Sequence, residues 1–202
     1  MRAADGSGEE TVILKSREFK LADSWHKDGK RLAITDAQKS IDIQILDTTD
    51  GNKVTPLFAN PSSGESAAAF SPDGSYVAYT STETGTDEVI VETFPPGGGK
   101  WQISTAGGMT AGWSRDGRAL YFVAGQALMV ADVDIRGVFR PGVPRVLLTG
   151  PYDLRTVIQR NFDTGPDGRL VLVKRQLTSQ ERGEVLVLDG WNSMDPSRGP
   201  GR

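Results

Sequence analysis

The chain has 202 residues, 37% of them hydrophobic and 24% charged, which is the composition of a folded domain and excludes an intrinsically disordered one. Its 23 basic and 26 acidic residues give a net charge of −3, which excludes the strongly basic surface typical of a nucleic-acid-binding domain. It has no cysteine, which excludes disulfides, thiolate zinc sites, iron–sulfur clusters and cysteine nucleophiles.

The sequence carries no visible targeting segment. The first residues lack the apolar core of a signal peptide, and no apolar run approaches the roughly 18 residues of a membrane span. We therefore predict no membrane span in this chain and no nucleic-acid partner, and the residues alone leave the compartment open.

Short apolar runs separated by many of the 24 glycines and 11 prolines predict an all-β protein. In chain order, the first predicted strand is TVILKS (Thr11–Ser16), which stands alone. Two units with four predicted strands each follow, at about 21–60 and 66–106. A third unit of four strands lies at about 110–150 and a fourth, with three strands, at about 157–191. The polar residues 193–202 are predicted to be a flexible tail.

Each unit begins with the same kind of turn, as in FSPDGSYVAYTS. There Pro72 presets φ, Asp73 can accept hydrogen bonds from nearby backbone N–H groups, and Gly74 takes the left-handed φ that closes a hairpin. The turn recurs at steps of 45, 43 and 51 residues. The predicted turn residues are Asp28, Gly29, Asp73, Gly74, Asp116, Gly117, Asp167 and Gly168.

A period in the forties, with four strands per unit, is typical of repeat architectures. Four antiparallel strands in about 40 residues are one blade of a β-propeller. The predicted fold is therefore an all-β propeller of about four blades, spanning residues 1–192. The turn aromatics Trp25, Phe70 and Trp113 recur in phase and are predicted to pack between blades.

These turns resemble the TolB-type, WD-repeat-like β-propeller repeats of bacteria, whose hallmark is an aromatic-Ser-Pro-Asp-Gly turn followed by a strand. The resemblance covers roughly residues 8–192 and is closest from Phe70 to Asp134. It implies a bacterial sensor or protein-interaction domain of the six-bladed type, often attached to a serine/threonine kinase, and a periplasmic or extracytoplasmic location. The Trp-Asp dipeptide of eukaryotic WD repeats is absent, and so is a kinase domain.

Four blades are at the low end of the known range of about four to eight. One hypothesis is that the chain is the C-terminal part of a larger propeller. The others are that TVILKS completes the last blade and closes a four-bladed ring, or that two chains combine.

Three motifs were weighed as catalytic or binding sites. GWSRDG contains Ser114 but has Asp116 where a nucleophile elbow needs glycine, and PPGGGKW departs from a phosphate-binding loop. DVDIRG begins like a calcium loop, yet Arg136 replaces an oxygen ligand. The single histidine, His26, is predicted to be a hydrogen-bonded or solvated turn residue. We therefore predict no catalytic residue, no cofactor and no metal.

The predicted function is recognition without catalysis, of a protein partner or a small ligand at one propeller face. The first alternative is the propeller portion of a prolyl-oligopeptidase-like hydrolase that lacks its catalytic domain. The second is a carbohydrate lyase-type propeller, which would need clustered histidines and carboxylates. The sequence does not identify the partner.

If the chain is part of a larger propeller, its open blade edges should favour self-association. Size-exclusion chromatography with light scattering should then show dimers or larger species. A stable monomer of 21.7 kDa would count against this hypothesis.

Overall fold

Sixteen β-strands in four antiparallel sheets make up the described part of the chain in the computed structural model. The structure describes residues 7–37, 41–58, 60–154, 160–165 and 167–174, and the backbone of Glu184–Leu188. In three of the sheets consecutive strands pair as a meander, and in the fourth two short strands share the outer position, so each sheet corresponds to one propeller blade. The predicted tail at 193–202 lies outside the described residues.

The first two blades have four strands each. Blade 1 consists of β1 (Lys20–Trp25), β2 (Arg31–Asp36), β3 (Asp42–Asp47) and β4 (Lys53–Pro56). Blade 2 consists of β5 (Glu65–Phe70), β6 (Tyr76–Ser81), β7 (Glu88–Thr93) and β8 (Lys100–Gln102).

The other two blades depart from this pattern. Blade 3 consists of β9 (Met109–Trp113), β10 (Ala119–Ala124), β11 (Ala127–Asp134), β12 (Arg140–Pro141) and β13 (Arg145–Thr149). Both β12 and β13 pair with β11, so the position of one fourth strand is shared by two short ones. Blade 4 shows three strands in the described residues: β14 (Phe162–Thr164), β15 (Leu170–Lys174) and β16 (Glu184–Leu188).

The strand predicted at Thr11–Ser16 does not form. Instead Ile13 and Leu14 pack against Leu32 and Ile34, on the face of blade 1 that points away from blade 2. Blade 1 already has its four strands, and no described blade covers this face. The segment is therefore held by burial of apolar side chains rather than by ladder hydrogen bonds, and it does not complete blade 4.

The hydrophobic core lies between the blades. Because side chains alternate along a strand, each central strand serves two neighbours. In β6, Val77 and Tyr79 pack towards blade 1, whereas Tyr76 and Ala78 pack towards blade 3. Clusters of this kind join blades 1 and 2, blades 2 and 3, and blades 3 and 4. Each blade thus depends on its neighbours to keep its faces out of water.

Hydrogen bonds also cross between blades at the first strands. The backbone N–H of Ala67 donates to Thr35 Oγ1 of blade 1 at 3.2 Å, and that of Thr110 donates to Thr80 Oγ1 of blade 2 at 3.0 Å. Both donors have positive φ, 55° for Ala67 and 53° for Thr110, a conformation that costs energy in a residue with a side chain. The same threonine seam is therefore used at two blade junctions.

The four Asp-Gly turns share one hydrogen-bond pattern. Oδ1 of each turn aspartate accepts the N–H two residues further on, at 2.9 Å from Lys30, 3.1 Å from Ser75, 3.1 Å from Arg118 and 3.2 Å from Arg169. All four glycines have φ between 66° and 79°. These aspartates and glycines lie in the hairpins between the first and second strands of their blades.

Two of these glycines differ in their surroundings, which gives a matched pair of variants. A Cβ at Gly29 would meet no atom within 4 Å, whereas a Cβ at Gly74 would overlap the ring of His26. Gly29→Ala should lower the free energy of unfolding by about 1 kcal/mol through backbone strain alone. Gly74→Ala should lower it by about 3 kcal/mol because overpacking is added.

Chemical denaturation of both variants tests this difference. In a His26→Ala background the extra penalty at Gly74 should disappear, leaving the two glycine substitutions equally costly. Equal penalties in the presence of His26 would contradict the packing shown here.

Candidate functional site

The first strands of the blades surround a common space, here called the channel. β5 contacts β1 and β9, and β9 also contacts β14. An inner cavity of about 300 Å³ lies along these strands, lined by β1, β5, β9 and residues 160–163. A second cavity of about 430 Å³, here called the mouth, lies where the first strands end and the Asp-Gly turns begin. Both cavities are lined by Arg160 and Asp163.

Small apolar residues line much of the inner cavity, together with the charged side chains of Asp23, Arg160 and Asp163. Its walls include Ala22, Ala67, Ala68 and Ala111. The alanines leave the space open, and Leu21 and Phe162 add apolar surface. A charge in such a space is poorly solvated, so its interactions are stronger than in water.

Asp23 is the carboxylate of the inner cavity. Its Oδ2 accepts the hydroxyl of Thr35 at 2.6 Å and the N–H of Ala68 at 3.4 Å. Its Oδ1 accepts no hydrogen bond from the described residues, and no described cation lies within 4 Å. Burial raises the pKa of Asp23 to about 6, although the hydrogen bonds from Thr35 and Ala68 work in the opposite direction.

Arg160 is the cation shared by the two cavities. Its Nε donates to Phe162 O at 3.0 Å, and its Nη2 lies 3.3 Å from Asp163 Oδ1. A weaker contact of 3.5 Å joins Nη1 to Ala111 O in blade 3. Burial lowers the pKa of Arg160, and Asp163 opposes that change. Arg160 therefore ties the segment before β14 to blade 3 and is largely balanced by Asp163.

The mouth is the more exposed and more cationic of the two cavities. Trp25, with 43% of its surface exposed, lies there beside the exposed residues Lys27 and Arg115. Arg115 makes one long contact, from Nε to Thr164 O at 3.5 Å, and no ion pair within the described residues. The mouth thus combines an exposed aromatic ring with positive charge contributed by three blades.

The in-phase aromatics do not all have the predicted role. Phe70 and Trp113 are buried, and Trp113 Nε1 donates to Ala69 O of blade 2 at 2.9 Å. Trp25 was predicted to pack between blades, and this prediction is wrong. It belongs to the first blade, so no described blade precedes it, and its ring remains at the mouth.

The single histidine links blades 1 and 2. His26 is buried, its Nε2 lies 3.1 Å from Gly74 O, and its ring packs against Phe70 and Phe94. Its Nδ1 lies 3.0 Å from Asp28 Oδ2. His26 therefore contributes to the blade junction in addition to its own turn.

Two of the motifs that resemble an active site or a metal site lie at turns, where polar side chains bond within the turn. Ser114 Oγ donates to Asp116 Oδ1 at 2.7 Å and accepts the N–H of Ala119 at 2.9 Å, in a turn between two strands. In DVDIRG, Asp134 pairs with Arg136 at 3.0 Å. Within the described ranges no three His, Asp or Glu side chains are close enough together to hold a metal ion.

One feature of the sequence distinguishes Asp23 from its equivalents in the other blades. When the units are aligned on their turn aspartates, the residue five positions before the aspartate is Ala68 in blade 2, Ala111 in blade 3 and Phe162 in blade 4, but Asp23 in blade 1. An aspartate at a position that is apolar in the other repeats is a departure from the scaffold pattern. Arg160 precedes the fourth turn unit and gave no comparable signal.

Comparisons with solved structures identify the fold. TolB from Acinetobacter baumannii superposes with a TM-score of 0.66 at 20% identity, covering 92% of this chain and 46% of that one. An oligogalacturonate lyase in complex with manganese gives 0.63 at 13% identity, covering 89% and 50%. A puromycin hydrolase S511A mutant complexed with PGG gives 0.59 at 15% identity, covering 89% and 28%.

The chain spans about half the length of the first two of these proteins. No family model matches the sequence, and no curated protein matches it. None of the described residues forms a helix with the length and hydropathy needed to cross a membrane. The names of two of these relatives state different activities, a lyase and a hydrolase, so the likeness concerns the fold alone.

Asp23 should destabilise the folded protein above its own pKa. Its pKa is about 6 in the folded state and 3.8 in the reference state, so the folded protein binds more protons between these values. Stability from this group is highest below pH 4 and falls as the pH rises to 6. Asp23→Asn should therefore raise the free energy of unfolding at pH 7 by up to about 3 kcal/mol.

Urea denaturation at pH 3.5 and pH 7 measures the effect. The gain from Asp23→Asn should nearly vanish at the lower pH, where both side chains are neutral. Asp50→Asn, at a position whose side chain is 70% exposed, is the matched control and should show no such difference. A loss of stability in Asp23→Asn at pH 7 would contradict the argument.

Proposed function

The chain has the TolB-type β-propeller fold, and on that premise we propose that it is a non-catalytic recognition module. Its partner is an acidic segment of another protein, which binds at the mouth of the channel. The observation that carries this proposal is the exposed Trp25 beside Lys27 and Arg115 in one concave surface.

The residue types at the mouth support a protein partner. Tryptophan and arginine are enriched among the residues that contribute most to binding energy at protein interfaces. The mouth, at about 430 Å³, is a concave surface of the kind in which ligands and partner side chains bind. Its rigid frame is the set of Asp-Gly hairpins, whose backbone is fixed by the hydrogen bonds described above.

The charge at the mouth supports an acidic segment. Lys27, Arg115 and Arg160 contribute three positive charges, and Asp163 contributes one negative charge that Arg160 already engages. Arginine suits carboxylates because its planar guanidinium can donate two parallel hydrogen bonds. Arg115 is the residue best placed for this contact because no described carboxylate pairs with it.

The non-catalytic part of the proposal rests on the turns. Ser114, the serine of the elbow-like motif, uses its hydroxyl to hold its own hairpin. Asp28, Asp73, Asp116 and Asp167 likewise accept hydrogen bonds within their turns. Their hydroxyl and carboxylate groups are engaged in holding the hairpins, whereas a nucleophile and its base would have to be free to act on a substrate.

Binding of a fluorescent glutamate-rich peptide, followed by anisotropy at low salt, tests the proposal. Arg115→Gln and Trp25→Ala should each weaken binding by about fivefold or more, because contacts at the centre of the site are lost. The control is Arg136→Gln, which removes the same charge from a side chain that is 83% exposed and outside the mouth.

Arg136→Gln should change the affinity little, and a lysine-rich peptide should bind poorly to the unmodified protein. Equal losses in Arg115→Gln and Arg136→Gln would show attraction by overall charge and contradict a site at the mouth. Equal binding of the two peptides would also contradict it.

A further inference from the structure

We propose that the inner cavity binds a primary ammonium group at the end of an alkyl chain, with Asp23 as its carboxylate. The inference rests on the proposed function in so far as the ligand enters through the mouth. The ammonium can come from the amino terminus or a lysine of a bound segment, or from a free amine.

The first argument is that hydrogen bonds hold Asp23 in place through only one of its two carboxylate oxygens. Thr35 and Ala68 fix Oδ2 from one side at 2.6 and 3.4 Å. Oδ1 accepts no hydrogen bond from the described residues, although Asp23 lines the cavity. A carboxylate oxygen that is oriented but unpaired is an acceptor available to a ligand.

The second argument is that the neighbouring cations are already paired. Lys20, on the same strand, forms ion pairs with Asp36 and Glu18. Arg160, across the cavity, lies 3.3 Å from Asp163. Among the described residues Asp23 is therefore a partly buried carboxylate without a counter-ion, an arrangement that is unfavourable until a cation or a proton binds.

The third argument is that the scaffold does not need this carboxylate. At the next blade junction Thr80 accepts the N–H of Thr110 at 3.0 Å, while Ala68 occupies the position equivalent to Asp23. The threonine seam thus works there without a charge. Asp23 is an addition to the seam that costs stability, which is characteristic of residues kept for a site.

The fourth argument concerns the kind of cation. Oδ2 of Asp23 is engaged by Thr35 and Ala68, and Oδ1 is the one oxygen that accepts no hydrogen bond from the part of the chain that the structure describes. That geometry suits the compact charge of an ammonium better than the two-point fork of a guanidinium. The alanine walls and the side chain of Leu21 suit an alkyl stem.

The site should be pH-dependent. The charged side chains that line the cavity with Asp23 are Arg160 and Asp163, and β5 and β9 contribute alanines there. Because burial raises the pKa of Asp23 to about 6, the carboxylate is ionised at pH 7.5 and mostly protonated at pH 5. Binding of an ammonium should accordingly weaken by about tenfold between these two pH values.

NMR titration of the full chain with n-butylammonium tests the proposal. At pH 7.5 the amide signals of Ala22, Ala67 and Ala68 should shift saturably, and n-butanol and n-butylguanidinium should cause much smaller shifts. Asp23→Asn keeps an oxygen acceptor for Thr35, so it should fold and lose the response. Asp50→Asn should retain it.

Two further arms identify the source of the ammonium. An alanine peptide with a free amino terminus and its acetylated form distinguish a chain terminus, and N-acetyl-lysine amide reports a side chain. Binding of n-butylammonium but of neither peptide ligand would assign the site to a free amine. An unchanged response in Asp23→Asn, an equal response at pH 5, or no saturable shift would each overturn the proposal.

The two proposals fail separately. Arg115→Gln should weaken the glutamate-rich peptide and leave n-butylammonium unaffected, whereas Asp23→Asn should do the reverse. If the unmodified protein binds n-butylammonium but not the glutamate-rich peptide, the proposed site at the mouth is wrong. If it binds the peptide but not n-butylammonium, the proposed site in the inner cavity is wrong.

Discussion

The apolar contact between neighbouring blades is the constraint on which the rest of this structure depends. Each blade is a thin sheet with two apolar faces, and it can bury them only against other parts of the chain. Val77 and Tyr79 use one neighbour and Tyr76 and Ala78 the other. Where no described blade is present, beside blade 1, Ile13 and Leu14 cover part of the face. The first strands are brought together around the channel as a consequence of this packing.

In the channel, different groups hold the strands together and form the candidate site. The threonine seam holds the first strands through backbone N–H groups, with a left-handed residue on the donor side at Ala67 and Thr110. Because backbone and threonine carry that task, the neighbouring side chain is free to vary. In blade 1 the variation is Asp23, whose burial raises its pKa and costs stability at neutral pH. The cost of the buried charge therefore falls on a group that lines the channel, in addition to the backbone strain that the seam itself carries at Ala67 and Thr110.

The sequence was sufficient for the architecture because the relevant signals are local. The aspartate and glycine of each turn, such as Asp73 and Gly74, determine their hairpin through bonds within a few residues, and their spacing reveals the repeat. Two features depend instead on which blades lie next to blade 1: the packing of Ile13 and Leu14, and the exposure of Trp25. For this reason the prediction of a strand at Thr11–Ser16 was wrong. The surroundings of Asp23 come from Thr35 and Ala68, 12 and 45 residues away. Those of Arg160 include Ala111, 49 residues away, so neither site residue could be placed without the tertiary fold.

The differences between repeats locate chemistry better than the repeated residues do. At the first turn position Ser71 and Ser114 bind their own hairpins, and His26 at the same place reaches across to Gly74 of the next blade. At the equivalent positions that line the channel, blades 2 and 3 have Ala68 and Ala111, whereas blade 1 has Asp23. A residue shared by all units serves the structure of the blade, because every blade must form the same hairpins and bury the same apolar faces. A residue present in one unit reflects a requirement of one location, and here Asp23, which differs in type from its equivalents, lies in the inner cavity, next to the mouth where Trp25 differs from its equivalents in exposure.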